Sequence, residues 1–130
     1  MSHFTTMKTK IKERPYLIEA LELMGHDVQE NKQLVISNPS HAEEHAEFHA
    51  EVAIKDDVGF RWNKNLEAYE LVAELDTWDL DVPVNRFIDK LTQQYAIEKL
   101  KRQTTEEGYN VESEVKNLNG SVELVVSRWV

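Results

Sequence analysis

The stretch from Arg86 to Val130 most constrains what this chain can become. It opens with an amphipathic helix, Arg86-Phe87-Ile88-Asp89-Lys90-Leu91-Thr92-Gln93-Gln94-Tyr95-Ala96. A hairpin follows, running Gly108-Tyr109-Asn110-Val111, turning at Asn119-Gly120 and returning as Val122-Glu123-Leu124-Val125-Val126-Ser127-Arg128-Trp129. Asn-Gly between two alternating runs is a strong hairpin signal, because the favoured two-residue turns need positive φ. A helix followed by an antiparallel ribbon points to the α+β class. Asp81-Val82-Pro83 introduces the helix, and Gly108 is placed to end it after Glu107. At 100° per residue, Val84, Phe87, Ile88, Leu91 and Tyr95 lie within about a quarter turn, forming one core-facing stripe. Ala96, Ile97 and Leu100 point elsewhere, so the helix must cover a second surface, bend around the core or meet another subunit.

The rest of the chain supplies the sheet. Phe4 to Ile11 reads as a first strand, and Arg14-Pro15 opens a helix whose apolar face is Leu17, Ile18, Leu21 and Met24, ended by Gly25. Gln29 to Ser40 is irregular, with Leu34-Val35-Ile36 as a candidate strand. From Phe48 the alternation is clean: Phe48, Ala50, Val52 and Ile54 against His49, Glu51, Ala53 and Lys55. Short polar turns at Asp56-Asp57 and Asn63-Lys64-Asn65 then separate Val58–Trp62 from Ala68–Leu75, which makes an antiparallel meander. The expectation is one α+β domain over residues 1–130: a two-layer sandwich, with a mainly antiparallel twisted sheet of about five to seven strands and two helices packed on one face.

Composition narrows the function classes. A length of 130 residues with 41% hydrophobic and 30% charged residues suits a globular domain. No run approaches the roughly 18 apolar residues of a membrane helix, and the N-terminus lacks a secretory pattern, so the expected location is cytoplasm or its organellar equivalent. The absence of cysteine excludes disulfides, thiolate metal sites and thiol catalysis. A net charge of −9 works against nucleic-acid binding. The one basic cluster is Lys8, Lys10, Lys12 and Arg14. Its lysines would share a face of an extended strand, where they either discourage edge-to-edge pairing or offer an anion a docking place.

Catalytic signatures are weak. His41, His45 and His49 have the spacing at which two histidines on a helix can share a zinc ion. In an extended segment, however, successive ones lie about 13 Å apart and cannot. Asp56/Asp57, Glu43/Glu44, Glu106/Glu107 and Asp76/Asp79/Asp81 sit at turns, loops and helix ends, where carboxylates are solvated. Acid–base work would need one of them in an apolar pocket. Trp78 could line such a pocket or simply pack beneath its loop. Four scattered glycines make no phosphate loop, and no serine stands in a nucleophile elbow.

Arg61-Trp62 and Arg128-Trp129 pair the residue types that dominate binding hot spots. Strand alternation puts Trp62 inside and Arg61 outside. It also puts Val122, Leu124, Val126 and Arg128 inward and leaves Val125 and Trp129 as an outer apolar patch, unless strand twist folds Trp129 over the core.

Several blocks carry a family resemblance: Met1-Ser2-His3-Phe4-Thr5-Thr6-Met7-Lys8-Thr9-Lys10-Ile11-Lys12, Val58-Gly59-Phe60-Arg61-Trp62-Asn63, Tyr69-Glu70-Leu71-Val72-Ala73, the segment Phe87–Ala96, and Gly120–Trp129. In this order they resemble the family named hypothetical chloroplast open reading frame thirty-five, small proteins of cyanobacteria, their phages and algal plastids. The resemblance breaks between Gln29 and His49. It implies a photosynthetic lineage or its phage and a place in cytoplasm or stroma, but no reaction and no catalytic residue.

The reading that follows is a small acidic, non-enzymatic interaction or accessory protein, with Arg61, Val125 and Trp129 as the partner-binding residues. Its partner would be another protein or a second copy of the chain, with no cofactor required. The alternative is a ligand-binding protein or enzyme using carboxylates and histidines such as His45, His49 and Asp57 within residues 29–57.

Overall fold

Alternation from Phe48 onward builds the centre of the molecule. The computed structural model describes residues 4–35 and 48–128. In chain order the elements are β1 (Phe4–Lys8), α1 (Arg14–Leu23), β2 (Gln29–Leu34), β3 (Phe48–Lys55), β4 (Val58–Asn63), β5 (Ala68–Glu74), a 3-10 turn (Leu75–Thr77), α2 (Val84–Glu106), β6 (Tyr109–Lys116) and β7 (Val122–Arg128). Five strands form one antiparallel sheet in the order β1-β5-β4-β3-β2, while β6 and β7 form a separate two-stranded sheet. The fold is α+β, with both helices on one face of the larger sheet.

That face holds the main core. Val52, Val58, Phe60, Tyr69, Leu71 and Ala73 from the strands meet Leu17, Ala20 and Leu21 of α1 and Phe87, Leu91 and Tyr95 of α2. The stripe expected on α2 is the one that packs. Trp62 joins this side, edge-on to Tyr69 at 5.1 Å. The opposite face carries a smaller cluster of Phe4, Leu34, Ala50, Ala53 and Val72, with Phe48 packed on it. Gly59 belongs to β4. A Cβ there would come within 2.8 Å of both the Ala50 Cβ and the Val52 carbonyl oxygen, so close strand approach explains this glycine. The bulge lies on the partner strand, between Ala53 and Lys55.

Three local expectations change. β1 stops at Lys8, and Ile11 instead lies fully buried in the link to α1, its carbonyl accepting the Tyr69 N–H at 2.8 Å. β2 comprises Gln29–Leu34 in place of Leu34–Ile36. As an edge strand it needs only Leu34 in the core, so it carries little apolar pattern; Ile36 lies outside the described residues. Finally, the hairpin does not extend the large sheet. Gly108, at φ +92, turns the chain out of α2 and sends β6 back along the helix. None of the described helices is long and apolar enough to cross a membrane.

Candidate functional site

Two features stand outside the packed body: the β6–β7 arm and a groove beside it. The arm is tied to α2 by polar contacts. Lys101 Nζ donates to Glu114 Oε2 at 2.7 Å, and that carboxylate holds the ammonium above its ordinary pKa. One end of the arm is fixed by Gln93 Nε2 donating to the Gly120 carbonyl. Gln93 and Lys101 are two turns apart on one helical stripe, with the buried Ile97 between them. This is the second apolar side of α2 that the sequence required to be covered, although Leu100 remains exposed.

No residue of the arm is buried. Glu114 and Leu124 are paired, so they share the face turned to α2, with Leu124 half-buried. The other face carries Val115 and Val125, about half exposed, and Leu118 stands fully exposed in the turn. Val125 therefore lies outward, as alternation predicts. Val126 and Arg128 do not turn inward. A bulge between Val111 and Ser113 shifts the register there. Val126 is 41% exposed, and Arg128 sets its guanidinium 5.9 Å from the Tyr109 ring centre. Trp129 lies outside the described residues.

The groove is formed by residues distant in sequence. Lys8, Thr9 and Lys10 form one wall, and Ile88, Asp89, Thr92, Gln93 and Ala96 of α2 form the other, around about 570 Å³. The Thr9 hydroxyl donates to the Tyr69 carbonyl at 2.5 Å and accepts the Ile11 N–H at 3.1 Å. Further along, the Tyr95 hydroxyl accepts the N–H groups of Lys12 and Glu13, each at 3.2 Å. The Thr9 bond ties the segment after β1 to β5, and the Tyr95 bonds tie it to α2. The basic cluster is thereby divided: Lys8 and Lys10 line the groove, while Arg14 turns away to donate to the Tyr69 hydroxyl at 3.1 Å.

Arg61 occupies the sheet face away from both helices. Its guanidinium binds Glu70 Oε1 at 2.6 and 3.0 Å and lies 4.6 Å from the Phe48 ring centre, while Asn63 donates to Glu70 Oε2 at 3.2 Å. Glu70 sits buried in β5, and these donors satisfy its charge. The structure thus places Arg61 and Val125 on different surfaces, since the arm lies over α2.

The alternative residues do not assemble into a reaction centre among the described residues. His49 is exposed on β3, while His41 and His45 fall outside the described residues. No cluster of three metal-ligating groups occurs among the described residues. Asp57 is buried at a shallow depression and accepts the Thr77 hydroxyl at 2.5 Å. Asp56 and Asp79 are held below the usual carboxylate range by hydrogen bonds from Lys32 and Lys55, the reverse of what a general acid needs. Trp78 packs under its loop, donating to the Val82 carbonyl at 2.8 Å and meeting Phe87 edge-on. The α2 wall of the groove carries little sequence signal. Its only signal was Ala96, small and apolar off the core stripe.

A family model described as protein of unknown function (DUF1257) matches residues 20–125. The chain is 32% identical to "Uncharacterized protein ycf35" of Pyropia yezoensis, covering 99% of this chain and 98% of that protein. Proteins of the same name from Guillardia theta and Cyanophora paradoxa are 31% and 32% identical, each with the same coverage of 99% and 98%. No solved structure matches the chain.

Proposed function

This chain belongs to the family described as protein of unknown function (DUF1257), and we propose that it acts as a non-enzymatic accessory protein that docks another protein on its β6–β7 arm. The observation that carries this reading is the arm itself: an ordered two-stranded ribbon with no buried residue, presenting Val115, Val125 and Leu118 to water. Two-stranded ribbons are marginal alone. Here one face leans on α2, and the other presents Val115 and Val125 beside Ser113 and Glu123, without a third strand among the described residues. Free strand edges beside exposed valines suit a partner that adds a strand or covers the outer face. The setting is cytoplasm or plastid stroma in a photosynthetic lineage or its phage.

The test is affinity capture by the full-length chain from extracts of its native lineage, compared with Val115→Glu/Val125→Glu. Both positions face outward, so the variant should unfold at the wild-type temperature. It should also lose a defined protein partner by about tenfold or more, since charge in the centre of an apolar contact is strongly disfavoured. Equal capture by both proteins would refute the arm as the contact surface.

A further inference from the structure

We infer that two copies of this chain associate through β7, the two strands pairing antiparallel around Val125 to make a four-stranded ribbon. The inference rests on the arm as a contact surface, but it uses the edge of β7 and leaves the outer face open. Of the two strands, β6 is the one packed against α2, and β7 packs on β6. The second edge of β7 has no strand partner among the described residues. That edge is also unguarded. Exposed edges are commonly blunted by charge or by irregular backbone. β2, at the edge of the large sheet, carries Glu30 and Lys32 on either side of Asn31, whose φ of +54 interrupts the extended run. β6 carries Glu112, Glu114 and Lys116. β7 instead has the uncharged run Leu124-Val125-Val126-Ser127, with both valines exposed.

What selects a second copy is the order of charge along β7. Glu123 stands near one end and Arg128 at the other, so the strand is neutral. The whole chain carries −9, and most contacts between copies would repel. Antiparallel pairing lays the acidic end of each β7 beside the basic end of the other, whereas parallel pairing would stack like charges. A two-fold axis perpendicular to the ribbon keeps every residue on its own face. Full overlap of Val122–Arg128 then sets Val125 opposite Val125 of the second copy. In that register Leu124 faces Val126, and Glu123 faces Ser127, whose hydroxyl can donate to the carboxylate. No like charges are opposed, and the arrangement closes at two copies.

Sedimentation equilibrium of the full-length chain tests this. One strand pair is a small interface, so the expected result is a weak reversible dimer, populated at about 100 μM and above. Val126→Lys, at an exposed position, should weaken it by about tenfold, because two symmetric contacts with Leu124 are lost. Its circular dichroism should stay that of wild type. The natural absence of cysteine allows a positional readout. In the pair, the two Val125 Cα atoms lie about 4.5–5.5 Å apart, within disulfide range, and the two Glu123 Cα atoms about 14 Å apart. Val125→Cys should therefore cross-link on mild oxidation, and Glu123→Cys, equally exposed, should not. The inference is overturned if the chain stays monomeric at about 1 mM, if Val126→Lys dimerises as wild type does, or if Glu123→Cys cross-links as readily as Val125→Cys. A monomeric wild-type chain that still captures a partner through Val115 and Val125 would remove self-pairing and leave the docking role standing. A dimer broken by Val126→Lys, in a chain that captures no other protein, would do the reverse.

Discussion

Strands β5 and β7 are each seven residues long and similarly apolar, yet every residue of β5 is buried and none of β7 is. The difference lies in their neighbours. β5 sits between β1 and β4 with both helices over one face, so even Glu70 and Glu74 are enclosed. Enclosure is tolerable because Arg61 and Asn63 bind Glu70, while Glu74 accepts the N–H groups of Asp76 and Thr77 at 3.2 and 2.8 Å. β7 has β6 alone as a neighbour, and its outer face meets water. Alternation therefore specifies a strand and its two faces, while burial depends on what is stacked against them.

The sharpest way to break this comparison is a pair of truncations. Phe60→Ala, at a fully buried site, should cost about 3–5 kcal/mol in denaturant unfolding. Val125→Ala, on the outer face of the arm, should stay within about 0.5 kcal/mol of wild type. Comparable losses would mean that the arm is part of the core after all.

A smaller effect sharpens the account of the body. Gly59→Ala should cost about 1–3 kcal/mol, because the added methyl group meets the Val52 carbonyl oxygen, and backbone cannot step aside as a side-chain tip can. An unchanged unfolding midpoint would show that β3 and β4 are not held so close.

The smallest effect concerns pH. His26 stacks edge-on against Phe87 at 5.6 Å, and burial pushes its pKa below the ordinary value, opposed by Asp81 and aided by Lys55. A lowered folded pKa means that the unfolded chain takes up the proton first as pH falls. This contribution to stability is therefore full above the ordinary histidine range. It declines as pH drops through about 6.5 and levels off below the folded value. His26 is only half-buried, so the slope is modest. His26→Gln should show a flatter stability profile than wild type between about pH 7.5 and 5.5, and parallel profiles would count against this assignment.

Much of the fold was legible. Pro83 and Gly108 bracket α2, observed as Val84–Glu106, and Phe48–Lys55 is a strand with the expected limits. These elements carry strong periodicity and clear stop signals. β2 differs from the expected Leu34–Ile36 because an edge strand needs few apolar residues, and β1 is shorter than its pattern suggests because Ile11 is apolar for the sake of a buried link. Within the candidate site, Val125 on the outer face followed from counting by two. The groove did not, because its lysines and its helix wall are about 80 residues apart in the chain.

The amino-acid order by itself determined most of the secondary elements, the core stripe of α2 and the outward face of Val125, because each depends on local periodicity and turn chemistry. Only the tertiary structure decided that β6 and β7 leave the main sheet, that Glu70 and Glu74 are enclosed, and that residues 8–10 border one groove with α2. Those outcomes depend on which surfaces meet, and packing selects among surfaces that look alike along the chain.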